Sequence, residues 1–265
     1  MILSTSRLFT KLLPVLRIGL VCDVGSLNGA DALRFRRAAP RADILAFEAN
    51  PENYHAMLAT PMLRRAGIET LPYAAAERDG EAEFFVVPVA GPENLARRGM
   101  SSLYQRPEPD RRGKSVRVPT RRLDGVLATR STDVTRIALW IDAEGAAYEV
   151  LQGAAGVLDR VLLIHVEVET APCIGATQKL HGDVAALLAG LGFVELATDG
   201  RTNNLQFNSL FVRRGLPALT RTRLAYHTRV QQLRRWLVNM VLALCPARLR
   251  NYLLRRRQIP VAVAG

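Results

Sequence analysis

Acidic side chains close several of the apolar runs in this chain, and a carboxylate at a strand end is well placed for chemistry. Asp142 ends the run Leu139-Trp140-Ile141 and is followed by Ala143-Glu144-Gly145. Glu167 and Glu169 alternate with Val166 and Val168, so both face the same side of a strand near its end. A group such as Asp142 can act as a base, anchor a substrate or hold the amino end of a ligand. The competing reading is a helix N-cap, which applies more strongly to Glu144. Asp142, Glu144, Glu167 and Glu169 could also surround a divalent cation, but no metal site is assigned. The histidines with catalytic potential are His165, inside an apolar strand-like run, and His181, on a helix after a glycine-containing loop. A lone histidine in such a run often serves the core instead. The catalytic assignment is Asp142, Glu167 and His165.

A second set of residues suits ligand binding. Asp23-Val24-Gly25-Ser26-Leu27-Asn28-Gly29 joins an apolar run to a helical segment. Glycine allows a tight turn and close backbone approach, and the open N–H groups of the following helix favour an acidic ligand group. Glu48 ends the next apolar run, 23 residues after Gly25. An acid there can accept hydrogen bonds from ribose hydroxyls. Dinucleotide sites use G-x-G-x-x-G to seat a pyrophosphate, whereas this loop reads Gly25-x-x-x-Gly29. That spacing suits an adenosine ligand without phosphates, and so favours S-adenosylmethionine over NAD.

The elements that must position these residues alternate in type. Strands are expected at Leu20–Val24, Ile44–Glu48, Ile68–Tyr73, Ile137–Ile141, Val161–Val168, Phe193–Ala197 and Phe207–Val212, the last two as an antiparallel pair. Helices are expected over residues 5–16, from Asp31 to Arg37 with Pro40 as the stop, and from Asn50-Pro51 to about Leu63. Further helices are expected at Leu123–Ala128, at Ala146–Leu151 ended by Gly153, and at Thr177–Ala189 closed by Gly190. This alternation predicts a mainly parallel sheet with helices on both faces. Residues 74–122 break it: Glu83–Val87 and Ser115–Val118 read as an inserted hairpin around a long loop. The part of that loop from Ser101 to Arg112, with Tyr104, would overhang the strand ends and help form an acceptor pocket. The expected organisation is an amphipathic helix over 1–17, a domain over 18–214 and a basic helical tail over 215–265.

Charge sharpens this picture. Of 36 lysines and arginines, twelve arginines lie from Arg213 onward, with no lysine and no acid among them. The remaining 24 basic residues balance the 24 acids of the body. A neutral body with no acceptor motif for nucleic-acid bases argues against a nucleic-acid partner, and the tail argues for an anionic surface near it. Leu233–Cys245 is largely apolar, carries Arg234, Arg235 and Trp236 at its start and is followed by Arg248 and Arg250. Such a helix can lie at the inner face of a membrane, or pack on the domain or at a dimer interface. No run reaches the roughly 18 apolar residues needed to span a bilayer. Pro14 and Arg17 interrupt the stretch after Lys11, so no secretion signal is read and a cytoplasmic location is expected. Cys22, Cys173 and Cys245 are far apart and read as reduced thiols.

Five segments together resemble the FkbM-type methyltransferases: Asp23-Val24-Gly25 with Gly29, Phe47–Pro51 (FEANP), Leu123–Leu127 (LDGVL), Ile141–Ala154 (IDAEGAAYEVLQGA) and His165–Glu169 (HVEVE). The resemblance covers roughly residues 18–214. It implies a Rossmann-like α/β fold, here with seven mostly parallel strands, and S-adenosyl-L-methionine as donor. It also implies O-methylation of a hydroxyl on a sugar, glycan or related small molecule. Gly25 and Glu48 then carry cofactor roles, and Asp142 lies in the active-site segment. The full cofactor set is expected to be Asp23, Gly25, Ser26, Asn28, Gly29, Glu48, Ala75 and Asp142. Family members commonly have alanine and asparagine where this chain has Ser26 and Leu27, which would shift a cofactor contact onto Asn28. They commonly have lysine at the position of Trp140. Two other classes remain open: a noncatalytic adaptor with a degenerate methyltransferase fold, and an NAD-dependent oxidoreductase.

Overall fold

Apolar strands with no alternation need cover on both faces, and a computed structural model shows how the chain supplies it. The structure describes residues 4–88, 95–128, 130, 135–199, 205–218, 220–230 and 233. In chain order the first elements are α1 (Thr5–Val15), β1 (Leu20–Val24), α2 (Ala30–Ala38), β2 (Asp43–Phe47), α3 (Pro51–Leu58), α4 (Pro61–Arg65) and β3 (Ile68–Leu71). The inserted region brings β4 (Ala74–Ala75), β5 (Gly80–Val86), α5 (Leu95–Gly99) and β6 (Lys114–Arg121). The remainder is α6 (Leu123–Ala128), β7 (Ile137–Ile141), α7 (Ala147–Gly153), β8 (Val161–Glu169), α8 (His181–Gly190), β9 (Phe193–Thr198) and β10 (Gln206–Arg213).

Seven strands form one sheet in the order β3-β2-β1-β7-β8-β10-β9. The five strands β3, β2, β1, β7 and β8 pair in parallel, and β10 runs antiparallel to both β8 and β9. This is a Rossmann-like α/β sheet, as the alternation of elements predicts. Every residue of β1 and of β7 is buried, the composition expected of a parallel strand covered on both sides. One face packs Leu123, Leu151, Val184 and Leu188 of α6, α7 and α8 against the sheet. The other face is covered by α1 and α2, with Leu8, Phe9, Leu12 and Phe35 in the core. The buried Thr5, Leu8, Phe9, Leu12 and Leu13 follow helical spacing, so the apolar stripe of α1 is a wall of the core. Beneath it Trp140 stacks flat on His165, with ring centroids 3.5 Å apart, while Phe9 meets Trp140 edge-on at 5.2 Å.

Three expected boundaries move, each for a local reason. The helix after Asn50 breaks between Leu58 and Pro61: proline has no N–H to continue the ladder and pushes Thr60 out of helical geometry, to φ −88° and ψ 103°. The helix expected from Thr177 begins at His181, because the Gln178 side chain instead accepts the N–H groups of Ile174 and Gly175. The strand expected to reach Tyr73 stops at Leu71. The inserted hairpin forms as expected, with Phe84 opposite Val116, and joins β4 in a separate three-stranded sheet. Of the tail segment Leu233–Cys245, only Leu233 lies among the described residues.

Candidate active site

The carboxyl ends of β1, β2, β7 and β8 meet at one edge of the sheet, and residues just beyond them line a cavity of about 300 Å³. Gly25 makes the turn out of β1 at φ +82°. A Cβ there would lie 1.9 Å from the Asp142 carbonyl oxygen, so only glycine lets the ends of β1 and β7 approach this closely. Across that junction the Asp142 N–H donates to the Val24 carbonyl at 2.9 Å. Leu27 follows at φ +56°, a left-handed conformation that costs a leucine about 1–2 kcal/mol. Asparagine is far more at ease there. The strained turn aims the Leu27 N–H at a Glu48 carboxylate oxygen, 2.6 Å away. The other Glu48 oxygen accepts the Asn50 N–H at 2.8 Å and the Asn53 amide at 3.5 Å. Glu48 is thereby fixed at the cavity wall with lone pairs to spare for hydroxyl donors. Burial outweighs these bonds and pushes its pKa up to about 7.

Further along the wall stand Asp142, Glu144 and Glu167, with one oxygen of each within 4.8 Å of the others. A divalent cation could be held by that set, although Arg106 already pairs with Glu144 at 2.6 Å. Asp142 and Glu167 are close neighbours in this set, two buried carboxyl groups that ionise together only at a cost, which favours one proton between them. Burial, then the charges of Asp142 and Glu144, raise the Glu167 pKa well above the carboxylate range, so Glu167 holds that proton. Asp142 is also raised, first by burial. The Gln206 amide faces Glu167 at 2.7 Å, and Glu144 and Glu169 at 3.2 Å each.

The inserted region closes the cavity with Phe84, Arg98, Gly99, Ser101 and Leu103. It is tied down at both sides. Arg98 Nε donates to Asn53 Oδ1 at 3.1 Å, beside Glu48. Ser102 Oγ donates to the Glu144 carbonyl at 2.6 Å, and Tyr104 OH donates to Glu149 at 2.7 Å. Glu144 itself sits at φ +44°, a strained backbone held by these contacts.

Of the residues picked from the sequence, Gly25, Glu48, Ala75, Asp142, Glu144 and Glu167 share this cavity. The structure does not bring the others to its wall. Asp23 is buried in β1 and accepts the Ser26 hydroxyl at 2.6 Å; burial raises it to about 8. Asn28 is exposed and accepts the Ala30 N–H, closing a side-chain turn just ahead of Gly29, the N-cap of α2. Gly29 is needed for its φ of +75° and for close packing against Leu63. His165 lies under α1, 1% exposed, with Nε2 3.0 Å from the Thr5 hydroxyl. Burial pushes its pKa well below the usual histidine value. It is a neutral core residue, removed from the catalytic group. His181 is also elsewhere, on the Glu195 carboxylate at 3.0 Å. The sequence reading did not pick out Asn53, Tyr73, Phe84, Arg98, Arg106 or Gln206.

The chemistry of this wall fits S-adenosylmethionine. Tyr73, Ala74, Ala75 and Phe84 offer an apolar surface for a base, Glu48 offers acceptors for ribose hydroxyls, and the acids suit a sulfonium and an ammonium. The same acids predict an unusual stability profile. Glu48, Glu144 and Glu169 are raised to about 7 and Asp23 to about 8, in each case chiefly by burial. Carboxyls in the unfolded chain titrate near about 4. The folded chain therefore binds more protons between these values, and stability is lost as pH rises through about 7–8. The thermal midpoint of the ligand-free protein is expected to fall by about 5 °C or more from pH 5.5 to pH 8.5. A flat or rising midpoint would show that these acids are ionised in the fold without cost.

Comparison with known proteins follows the same lines. The family model described as the methyltransferase FkbM domain matches residues 23–195. A search of curated proteins finds no significant match. Similar solved structures include a fibrillarin pre-rRNA processing protein from Methanococcus jannaschii, at 11% identity and a TM-score of 0.46, covering 80% of this chain and 76% of that one. An rRNA methylase from Streptococcus thermophilus is 12% identical, with a TM-score of 0.41, over 79% of this chain and 94% of that one. A precorrin-6y C5,15-methyltransferase from Geobacter metallireducens is 12% identical, with a TM-score of 0.37, over 76% and 84%.

Proposed function

We propose that this chain, which belongs to the FkbM methyltransferase family, moves a methyl group from S-adenosylmethionine to a hydroxyl oxygen of a sugar, glycan or related metabolite. Methyl transfer with that donor is what the family does; oxygen as the acceptor atom, and the residues below, are the proposal. The observation that carries it is the close approach of the Asp142 and Glu167 carboxyl groups on the same cavity wall as Gly25 and Glu48.

The donor supplies an electrophilic methyl on a sulfonium, already a good leaving group. The chain's task is then to orient the partners and to take one proton. Glu48 holds the ribose hydroxyls, and Tyr73, Ala75 and Phe84 enclose the base. Arg98, Ser101 and Leu103 form the acceptor side of the cavity. Alignment of this kind can supply much of the rate. A hydroxyl is neutral until it attacks, so it needs a proton acceptor in the transition state. As the new oxygen–carbon bond forms and the carbon–sulfur bond breaks, the bonding electrons go to sulfur and the hydroxyl proton goes to Asp142. Glu167, protonated beside Asp142, keeps that carboxylate oriented, and burial raises the basicity of Asp142.

Among the described residues no helix is long and apolar enough to cross a membrane. The arginine-rich tail is proposed to support peripheral contact with an anionic membrane.

The test is to supply the protein with S-adenosylmethionine carrying a labelled methyl and a panel of sugars, glycans and hydroxylated metabolites. The expected product is a labelled methyl ether. Label found only on amine nitrogen, on carbon or in RNA would overturn the assignment of oxygen.

A further inference from the structure

We infer that a groove at the far end of the sheet from the cavity is a docking surface for an anionic lipid bilayer. It is independent of the methyl-transfer reading, because it shares no residue with that site. The strand β10 runs antiparallel to β8, so Val212 sits beside Leu163, near where β8 begins. Glu167 and Asp142 lie at the other end, where the parallel strands finish. Beside Val212 the edge strand β9 and the helical residues 220–230 enclose an open groove of about 450 Å³. Its floor is apolar, with Val194, Leu196, Leu216 and Leu224, and its rim carries Arg214, Arg221 and Arg229.

Among the described residues those arginines are uncommitted. Arg214, Arg221, Arg223 and Arg229 are exposed, and among the described residues none of their side chains makes a hydrogen bond or an ion pair. The neighbouring Arg213 shows the contrast. It is turned inward onto the carbonyls of Val161 and Leu158, with its guanidinium over the Phe193 ring. Glu195, the acid of the edge strand, is occupied by His181 and Ser209. From Arg213 to the end the chain holds twelve arginines and no acid. Like charge therefore opposes closure of the groove by the chain's own basic end, and an anionic occupant is favoured.

The apolar floor selects among anions. Nucleic acid and acidic peptides would meet the arginines and leave the floor uncovered, whereas a lipid offers a phosphate for the rim and acyl carbon for the groove. The helical residues present Tyr226 at 64% exposure and Leu233 at 57%, an aromatic and an aliphatic group of the kind that enters a headgroup layer. Bound this way, the protein keeps its catalytic end remote from the lipid contact, so the acceptor is one displayed beyond the bilayer surface or free in solution.

Flotation of the full chain with vesicles tests the inference. The vesicles are phosphatidylcholine alone, or phosphatidylcholine with about a third phosphatidylglycerol. Flotation with the anionic vesicles alone is expected, and the double variant Arg221→Glu/Arg229→Glu should lower the bound fraction about tenfold or more. The variant should retain wild-type thermal unfolding and S-adenosylmethionine binding, since neither residue touches the cavity. Three results would overturn the proposal: no flotation of the wild type, equal flotation with neutral vesicles, or undiminished flotation of the double variant. Salt-sensitive binding to single-stranded RNA without vesicle binding would assign the surface to nucleic acid instead.

Discussion

Replacing Asp142 with asparagine is expected to lower kcat by about 10²–10⁴-fold, the usual contribution of a positioned base. The substitution keeps the size of the side chain and an oxygen that can accept from Glu167, so the wall should keep its shape. What it removes is the carboxylate that receives the hydroxyl proton. Binding of S-adenosylmethionine should change far less than kcat, because Glu48 and the apolar wall are untouched. Glu167→Gln offers a graded comparison. Its amide can still donate to Asp142, so the loss should be smaller, and the pH dependence of kcat should move to lower pH as the shared proton and its partner charge disappear. Single-turnover transfer of labelled methyl, measured beside calorimetric binding, separates the two effects. An Asp142→Asn enzyme with wild-type kcat would place the base elsewhere.

Gly25→Ala is expected to be the most damaging single change in the loop. A Cβ at this position would stand 1.9 Å from the Asp142 oxygen and 2.8 Å from its carbon. Both are backbone atoms, held by the Asp142–Val24 hydrogen bond, so no side-chain rotation relieves the clash. The left-handed φ adds about 1–2 kcal/mol for any residue with a Cβ, and overpacking adds about 1–3 kcal/mol. A loss of about 2–5 kcal/mol should lower the thermal midpoint by roughly 5–20 °C and abolish measurable donor binding. Gly182→Ala is the matched control: it lies on α8 with nothing within 4 Å of an added Cβ, and should be neutral or slightly stabilising. If both variants unfold alike, the close approach of β1 and β7 is wrong.

How far such residues can be found from sequence depends on how locally their placement is fixed. The strands β1, β7 and β8 are legible because a parallel strand buried on both faces is largely apolar, and theirs are, apart from Asp23 in β1 and His165, Glu167 and Glu169 in β8. Gly25, Glu48 and Asp142 are legible because each stands directly after such a run. His165 shows the limit. It points the same way as Glu167, as the alternation requires, but two residues deeper along the strand that face is covered by Trp140 and α1. Period fixes the face and leaves depth open. Asn28 shows another limit, since a polar residue after a glycine turn serves equally as a ligand or as a local turn former, and here it holds the turn into α2. Arg106 and Gln206 carried no local signal: they meet Glu144 across 38 and 62 residues of chain. The chain carries many arginines, and nothing distinguishes Arg106 until the inserted region is folded over the cavity.

The central claim is that the loop at Gly25, the acid Glu48 and the segment at Asp142 form one site for a methyl donor. Calorimetric titration of the full chain with S-adenosylmethionine, and separately with NAD, tests it most directly. Saturable binding of one S-adenosylmethionine per chain is predicted, strongly weakened by Glu48→Ala, with no binding of NAD. Absence of S-adenosylmethionine binding by the wild type, or binding of NAD in its place, would contradict the account.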